Sequence, residues 1–150
     1  MEVKSRTFQG FSVATALSIY VLIVLGGLVA STDSGLACPD WPLCNGQVLP
    51  NLTINVLIEL THRVWTIEVT IAVAATMLMA WKFYNRISRI TLFSTLTFVL
   101  LLAQITLGML TVQTRTLPVV VTAHLGMATL VFASALITSI FSFTNPGSVK

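Results

Sequence analysis

The amino-acid sequence predicts an all-α fold, a polytopic membrane protein built as one bundle of four transmembrane helices. Of its 150 residues, 55% are hydrophobic and only 9% are charged, and the mean hydropathy is +0.91. Charges are absent for about twenty residues at a time, which is the length that a helix needs to cross a bilayer. A chain of this length has room for a single four-helix membrane domain, residues 1–150.

Four apolar runs predict the helices, and each reaches the roughly 20 residues that a spanning helix requires. They cover residues 11–30, 54–81, 90–112 and 117–143. The first run is too long for the apolar core of a signal peptide, so we interpret it as a membrane span. Residues 31–53 are predicted to form the outer loop.

Basic residues predict the orientation of the bundle, because Lys and Arg collect on the cytoplasmic side of a membrane. Those predicted inside are Lys4, Arg6, Lys82, Arg86, Arg89 and Lys150. The outer loop has Asp33 and Asp40 but no Lys or Arg, and the turn before the last helix has only Arg115. We expect a plasma-membrane protein with both termini in the cytoplasm and the loop outside. The net charge of +3 follows from these clusters and indicates no nucleic-acid partner.

The chain has two histidines, His62 and His124, at similar predicted depths. At 1.5 Å per residue, both lie roughly 10–12 Å below the outer boundary. Because both helices run inward, the imidazoles can approach a common point from two sides, as axial ligands of a heme iron do. A hydrogen bond between helices is the structural alternative. Zinc is disfavoured, since it normally takes three or four ligands and the cysteines lie in the loop.

The second helix carries a polar cluster of Glu59, His62 and Arg63, whose i, i+3 and i+4 spacing predicts one helix face. One interpretation is an internal ion pair between Glu59 and Arg63, with no chemistry. The other has Arg63 binding a heme propionate and Glu59 moving protons or binding water. Glu68 lies about 180° from Glu59 around the helix. It is expected to be a neutral carboxylic acid that points away from the heme and bonds to another helix or subunit.

The outer loop contains Cys38 and Cys44, the only two cysteines, with two prolines between them. Disulfides persist on the outer side of a membrane, so a bridge is expected, and it would stiffen the loop above the histidines. Three roles for the cysteines remain open: a structural bridge, a redox-active pair that exchanges electrons, or a pair that only avoids mixed disulfides.

Glycine and glutamine residues in or near the first and third helices have two possible roles each. Gly26, Gly27 and Gly108 allow close approach of a neighbouring helix or of a flat macrocycle, although such glycines more often only pack helices. Gln104 and Gln113 are equally consistent with a hydrogen bond across the bundle.

These motifs resemble the heme A synthase family along nearly the whole chain. The similar segments are Gly26–Val29 with Ser34–Gly46 (the family's first outer loop), Glu59-x-x-His62-Arg63 (its E-x-x-H-R signature), and Gln104–Thr111 with Val121–Gly126 (its third and fourth helices).

The resemblance implies an oxidoreductase of heme A biosynthesis, which oxidises a methyl group of heme O to the formyl group of heme A for terminal oxidases. It implies heme O as substrate, heme B as cofactor and an unidentified electron acceptor, with heme O synthase and terminal oxidase assembly as further partners. The residues that it assigns are His62 and His124 as heme-iron ligands, Glu59 as catalytic carboxylate, Arg63 as the residue that holds a propionate or tunes Glu59, and Cys38 and Cys44 as the loop cysteines.

The chain differs from the common form of that family, which has eight helices built as two four-helix halves. It carries the motifs of the substrate-binding half and offers one bis-histidine site. A homo-oligomer, a dimer or a larger assembly, is therefore expected to supply the second heme.

Two other functions fit part of the pattern. A b-type cytochrome that only transfers electrons would need the histidine pair, but it gives Glu59 no role. A quinone-linked disulfide-forming enzyme also has four helices and outward cysteines, but that chemistry favours a second cysteine pair.

Overall fold

The structure, a computed structural model, describes residues 2–48, 50–85 and 87–144, with side chains from Arg6 onward. Within these ranges it contains four long helices and no strand: α1 (Glu2–Ser31), α2 (Ile54–Phe83), α3 (Arg89–Gln113) and α4 (Pro118–Thr144). Each helix has a segment that is long and apolar enough to cross a membrane. The predicted fold class is confirmed.

Local capping explains where the last three helices begin. Thr53 precedes α2, and its hydroxyl accepts a 3.3 Å hydrogen bond from the backbone N–H of Val56. Ser88 precedes α3 and accepts a 3.2 Å bond from the N–H of Thr91 in the same way. Pro118 opens α4, where its missing N–H is not needed. The predicted starts at 54, 90 and 117 agree with these positions within one residue.

α1 begins at Glu2, nine residues before the apolar run that predicts it. An apolar run marks only the part of a helix that suits the bilayer. The helix itself continues until a cap or a helix-breaking residue ends it. Polar residues before Phe11 are compatible with a helix, and the membrane-compatible part of α1 spans Arg6–Ser31.

Residues 32–48 and 50–53 and the turn 114–117 lie at the same end of the bundle, which we call the loop end. Arg115 lies in that turn, whereas Lys82 and Arg89 lie at the opposite end. Arg86, Lys150 and the side chain of Lys4, which contributed to the predicted orientation, lie outside the described residues.

The four helices pack in a ring. α1 packs against α2 and α4, and α3 packs against α2 and, most extensively, against α4. Direct contact between the diagonal pairs is slight. α2 and α4, the two helices that carry histidines, therefore stand diagonally opposite each other.

The apolar core is concentrated in the half of the bundle away from the loop end. Its larger cluster contains Ala16, Ile19, Val69, Val73, Leu101, Val131 and Ala135. Buried hydroxyls pack among these side chains, with Thr15 bonded to Thr76 at 2.9 Å and Thr97 to Ser134 at 2.9 Å. Small and hydroxylated side chains let membrane helices approach closely, so this half is held together by packing and by hydrogen bonds between helices.

Candidate functional site

The half of the bundle nearer the loop end contains a layer in which no side chain is fully buried. Within the described helices, this holds for residues 20–31 of α1, 60–68 of α2, 102–111 of α3 and 118–130 of α4. Protein interiors are normally packed as closely as organic crystals. A layer between four helices in which every side chain is at most partly buried is therefore a candidate site for a ligand that completes its packing.

Both histidines lie in this layer, which we call the histidine layer. His62 lies about 12 Å along α2 from its first residue, and His124 about 9 Å along α4, at 1.5 Å per residue. The helices that carry them are diagonally opposite. The structure thus places two imidazoles at nearly the same depth on two sides of one layer.

Each histidine ring lies against a glycine of the preceding helix. A β-carbon added at Gly26 of α1 would lie 3.2 Å from Cε1 of His62, and one added at Gly108 of α3 would lie 3.1 Å from Cε1 of His124. Both distances are shorter than ordinary van der Waals contact, so a β-carbon at either position would require the histidine ring to shift by a few tenths of an ångström. Gly27, by contrast, has no atom within 4 Å of such a β-carbon.

Three buried polar atoms in the histidine layer have no hydrogen-bond partner among the described residues: Nδ1 of His62, Nδ1 of His124 and Oε1 of Gln104. The amide nitrogen of Gln104 lies 3.3 Å from Nε2 of His124, which joins α3 to α4. Buried polar atoms without partners are rare in native proteins, and a bound ligand is one explanation for them. Gln113, the other predicted amide, is exposed at the end of α3.

Glu59, one turn before His62 in α2, forms an ion pair with Arg63, the residue after His62. Nε of Arg63 donates a 2.7 Å hydrogen bond to Oε1 of Glu59, and the two side chains are 13% and 6% exposed. The ion pair between Glu59 and Arg63, one of the two interpretations of this cluster, is therefore present. No described residue donates a hydrogen bond to Oε2 of Glu59, so this oxygen can bind a water or a proton.

The remaining donors of Arg63 bind the cysteine loop. Cys38 and Cys44 form the expected disulfide, which closes residues 38–44 into a ring. Backbone carbonyls of this ring accept hydrogen bonds from Arg63, at 2.8 Å for Cys38, 2.9 Å for Asp40 and 2.7 Å for Leu43. These contacts could not be predicted from the sequence, because the acceptors are backbone groups whose direction does not depend on residue type.

Asp40 fixes the shape of the ring. Its carboxylate accepts hydrogen bonds from the backbone N–H groups of Asn45, at 2.6 Å, and of Gly46, at 2.8 Å. Asn45 and Gly46 have φ angles of 54° and 72°, in the left-handed region, which turns both N–H groups toward one side. The bond from Gly46, helped by that from Asn45, lowers the pKa of the Asp40 carboxyl. Asp40 is thus held as an anion that ties the chain after Cys44 to the ring.

Glu68 lies apart from this cluster. It is exposed on the surface of α2, and the hydroxyl of Ser18 in α1 donates a hydrogen bond to its Oε2. The indole N–H of Trp65 donates to the carbonyl of the same serine at 3.1 Å. The expectation that Glu68 bonds to another helix and points away from the site agrees with this arrangement.

Comparisons with known proteins match this chain over nearly its whole length. The model of a family described as cytochrome oxidase assembly protein matches residues 9–55 and 52–147. A heme A synthase of Bacillus mycoides (strain KBAB4) is 34% identical over 140 residues, which are 92% of this chain and 45% of the relative. Heme A synthases of Bacillus cereus (strain AH187) and Bacillus anthracis (strain CDC 684 / NRRL 3495) are 33% identical with the same coverage. The chain therefore spans about half the length of the curated relatives that it matches.

Proposed function

Because the chain belongs to the heme A synthase family of cytochrome oxidase assembly proteins, we propose that it oxidises the methyl group of heme O to the formyl group of heme A. The observation that carries the proposal is the histidine layer. It combines two diagonally placed imidazoles with three unpartnered polar atoms and no fully buried side chain. A flat macrocycle held between His62 and His124 would fill such a layer, and each imidazole could supply one nitrogen to the iron.

Glu59 is the proposed catalytic carboxylate. It is buried and belongs to the same face of α2 as His62, and only one of its oxygens is bonded to Arg63. Oxidation of a methyl group to a formyl group takes up water and releases protons and electrons. The free Oε2 is placed to position that water or to accept a proton, while the electrons pass to an acceptor of unidentified class.

Arg63 acts in this proposal on Glu59 rather than on a heme propionate. A guanidinium has five N–H donors, and four of them in Arg63 are bonded to Glu59 and to the ring 38–44. These contacts favour the second of the two roles considered for Arg63, that of holding and tuning the carboxylate.

We propose that the protein resides in the plasma membrane with its loop end outside. Lys82 and Arg89 at the opposite end support this orientation. The substrate heme O is a membrane-soluble product of a heme O synthase, and the product would pass to terminal oxidase assembly. Both are proposed as functional partners.

Heme analysis tests the function directly. The full chain is expressed in membranes with a source of heme O, and the hemes are extracted and separated by chromatography. Heme A is expected, and it should be absent from a control strain that carries the empty vector. If the extract contains only heme B and unmodified heme O while the protein shows an intact heme spectrum, the synthase is refuted and an electron-carrying cytochrome is supported.

Replacing Gly26 with alanine is expected to lower heme affinity about tenfold, a loss of about 1.4 kcal/mol. The new methyl group would lie 3.2 Å from Cε1 of His62 and would push the ring from its position. Gly27→Ala is the matched control, since the same methyl group meets nothing there and both changes raise helix propensity. Heme titration followed by absorption measures the effect, and equal affinities in the two variants would contradict it.

We also propose that a second copy of the chain supplies a second heme, bound as cofactor heme B. The single pair of histidines in residues 1–150 can hold one bis-histidine heme, which supports this. The mass of the protein in mild detergent is expected to correspond to two or more chains. An active protein with the mass of one chain would refute it.

A further inference from the structure

The ring 38–44 surrounds the guanidinium of Arg63 with three backbone carbonyl oxygens, those of Cys38, Asp40 and Leu43, which we call the carbonyl cup. Their distances to the Arg63 nitrogens are 2.8, 2.9 and 2.7 Å. All three carbonyls belong to the ring that the disulfide closes. The disulfide therefore helps to keep the three acceptors together.

Arg63 connects this cup to Glu59. Nη1 binds two carbonyls, Nη2 binds the third, and Nε binds the carboxylate of Glu59 at 2.7 Å. A planar guanidinium holds its donors in fixed directions, so fixing Nη1 and Nη2 also fixes the direction of Nε. Asp40 does not contact Glu59 and keeps the ring folded through Asn45 and Gly46.

The disulfide itself is covered. Cys38 and Cys44 are 0% and 1% exposed and pack on Val56 at the start of α2. A reductant in solution can reach the sulfur atoms only when the loop opens from α2. Arg63 is the residue that bonds the ring to α2 most extensively, so it should control this opening.

We propose that Arg63 is a positioning residue that links the Cys38–Cys44 disulfide to Glu59. With the bridge closed, the carbonyl cup holds Arg63, and Arg63 holds Glu59 in the orientation used for oxidation of the substrate. When an external dithiol reduces the bridge, the S–S bond breaks, two electrons and two protons pass to the cysteines, and the dithiol becomes a disulfide. The ring then opens, the cup is lost, and Glu59 is no longer held. This mechanism rests on the proposed function, in which Glu59 is catalytic.

The first test needs no activity. The full chain, purified in mild detergent, is treated with dithiothreitol, and the free thiols are alkylated and counted by mass spectrometry over time. Arg63→Gln is expected to speed up reduction by about tenfold, because charge-assisted bonds that close the loop are lost. Arg115→Gln, which changes an exposed arginine at the same end of the bundle, should react like the wild type. Equal rates for Arg63→Gln and the wild type would overturn the proposal.

Arg63→Lys keeps the charge but cannot reach three carbonyls and a carboxylate at once. It is expected to be reduced faster than the wild type while it retains part of the conversion of heme O, since an ammonium can still pair with Glu59. A wild-type rate of reduction in this variant would show that charge alone closes the loop, and would overturn the role of the cup. This variant also serves if Arg63→Gln does not fold.

A double-mutant cycle tests the link to Glu59. Replacing both cysteines with serine should lower kcat for conversion of heme O and leave the heme spectrum unchanged. In the Arg63→Gln background, the same two replacements should have little further effect, because both act through one residue. Losses that multiply would overturn the link. If the wild type itself converts no heme O, the proposed function fails, whereas the rates of reduction still decide whether Arg63 closes the loop.

Discussion

Replacing Glu59 with glutamine is expected to lower the conversion of heme O to heme A by about 10²–10⁴-fold, the usual contribution of a positioned acid or base. Glutamine keeps the size of the side chain and can still accept a hydrogen bond from Arg63 through its amide oxygen, so the ring 38–44 should stay in place. It cannot take up a proton. Extracted hemes, separated by chromatography, give the conversion, and the absorption spectrum reports whether heme still binds.

Glu68→Gln is the matched control for this variant. Glu68 lies on the same helix but is exposed and bonded to Ser18 of α1, so its replacement should leave conversion near that of the wild type. Undiminished conversion in Glu59→Gln would remove Glu59 from the mechanism. An equal loss in both variants would point to a general effect of carboxylates in α2 and not to a catalytic one.

Replacing either His62 or His124 with alanine is expected to abolish the low-spin spectrum of bound heme. An iron held by two imidazoles loses its six-coordinate state when one of them is removed. The chain has no third histidine that could take over. Absorption spectra of the purified variants, with heme content measured per chain, follow the change.

Thr122→Ala provides a control of similar depth in α4, since Thr122 is exposed and its hydroxyl bonds within its own helix to the carbonyl of Pro118. Its spectrum should equal that of the wild type. Loss of the low-spin spectrum in only one of the two histidine variants would contradict a site that both residues share.

Much of the fold could be predicted from the sequence, because the signals that define it are local. Thr53, Ser88 and Pro118 mark the starts of three helices within one residue of the predicted positions. The start of α1 was missed, since hydropathy reports the part of a helix that lipid covers and not its full length. The order of the helices around the ring could not be predicted, because it depends on how whole surfaces fit together.

In the candidate site, too, contacts within one helix could be predicted from the sequence, whereas contacts between helices or with the loop could not. The i, i+4 spacing of Glu59 and Arg63 predicted one helix face, and the ion pair is there. The glycines were known to permit close approach, but only the packed structure brings Gly26 against His62 and Gly108 against His124. The carbonyl cup could not be predicted from the sequence, since the direction of each backbone carbonyl depends on ring closure and on Asp40. The roles of Glu59 and the two histidines stay predictions until the variants are measured.

The two halves of the bundle are packed differently, so one can hold the helices together while the other exchanges ligands. The half away from the loop end, built on side chains such as Val69, Val73 and Leu101, can keep the four helices in register throughout a catalytic cycle. The histidine layer, which buries its side chains less completely, is expected to open locally at a lower cost in free energy than this half. In the proposed function, the protein has to bind one porphyrin and release another after each turnover. Close packing in the half away from the loop end and looser packing in the histidine layer would allow this exchange while the protein stays folded in the membrane.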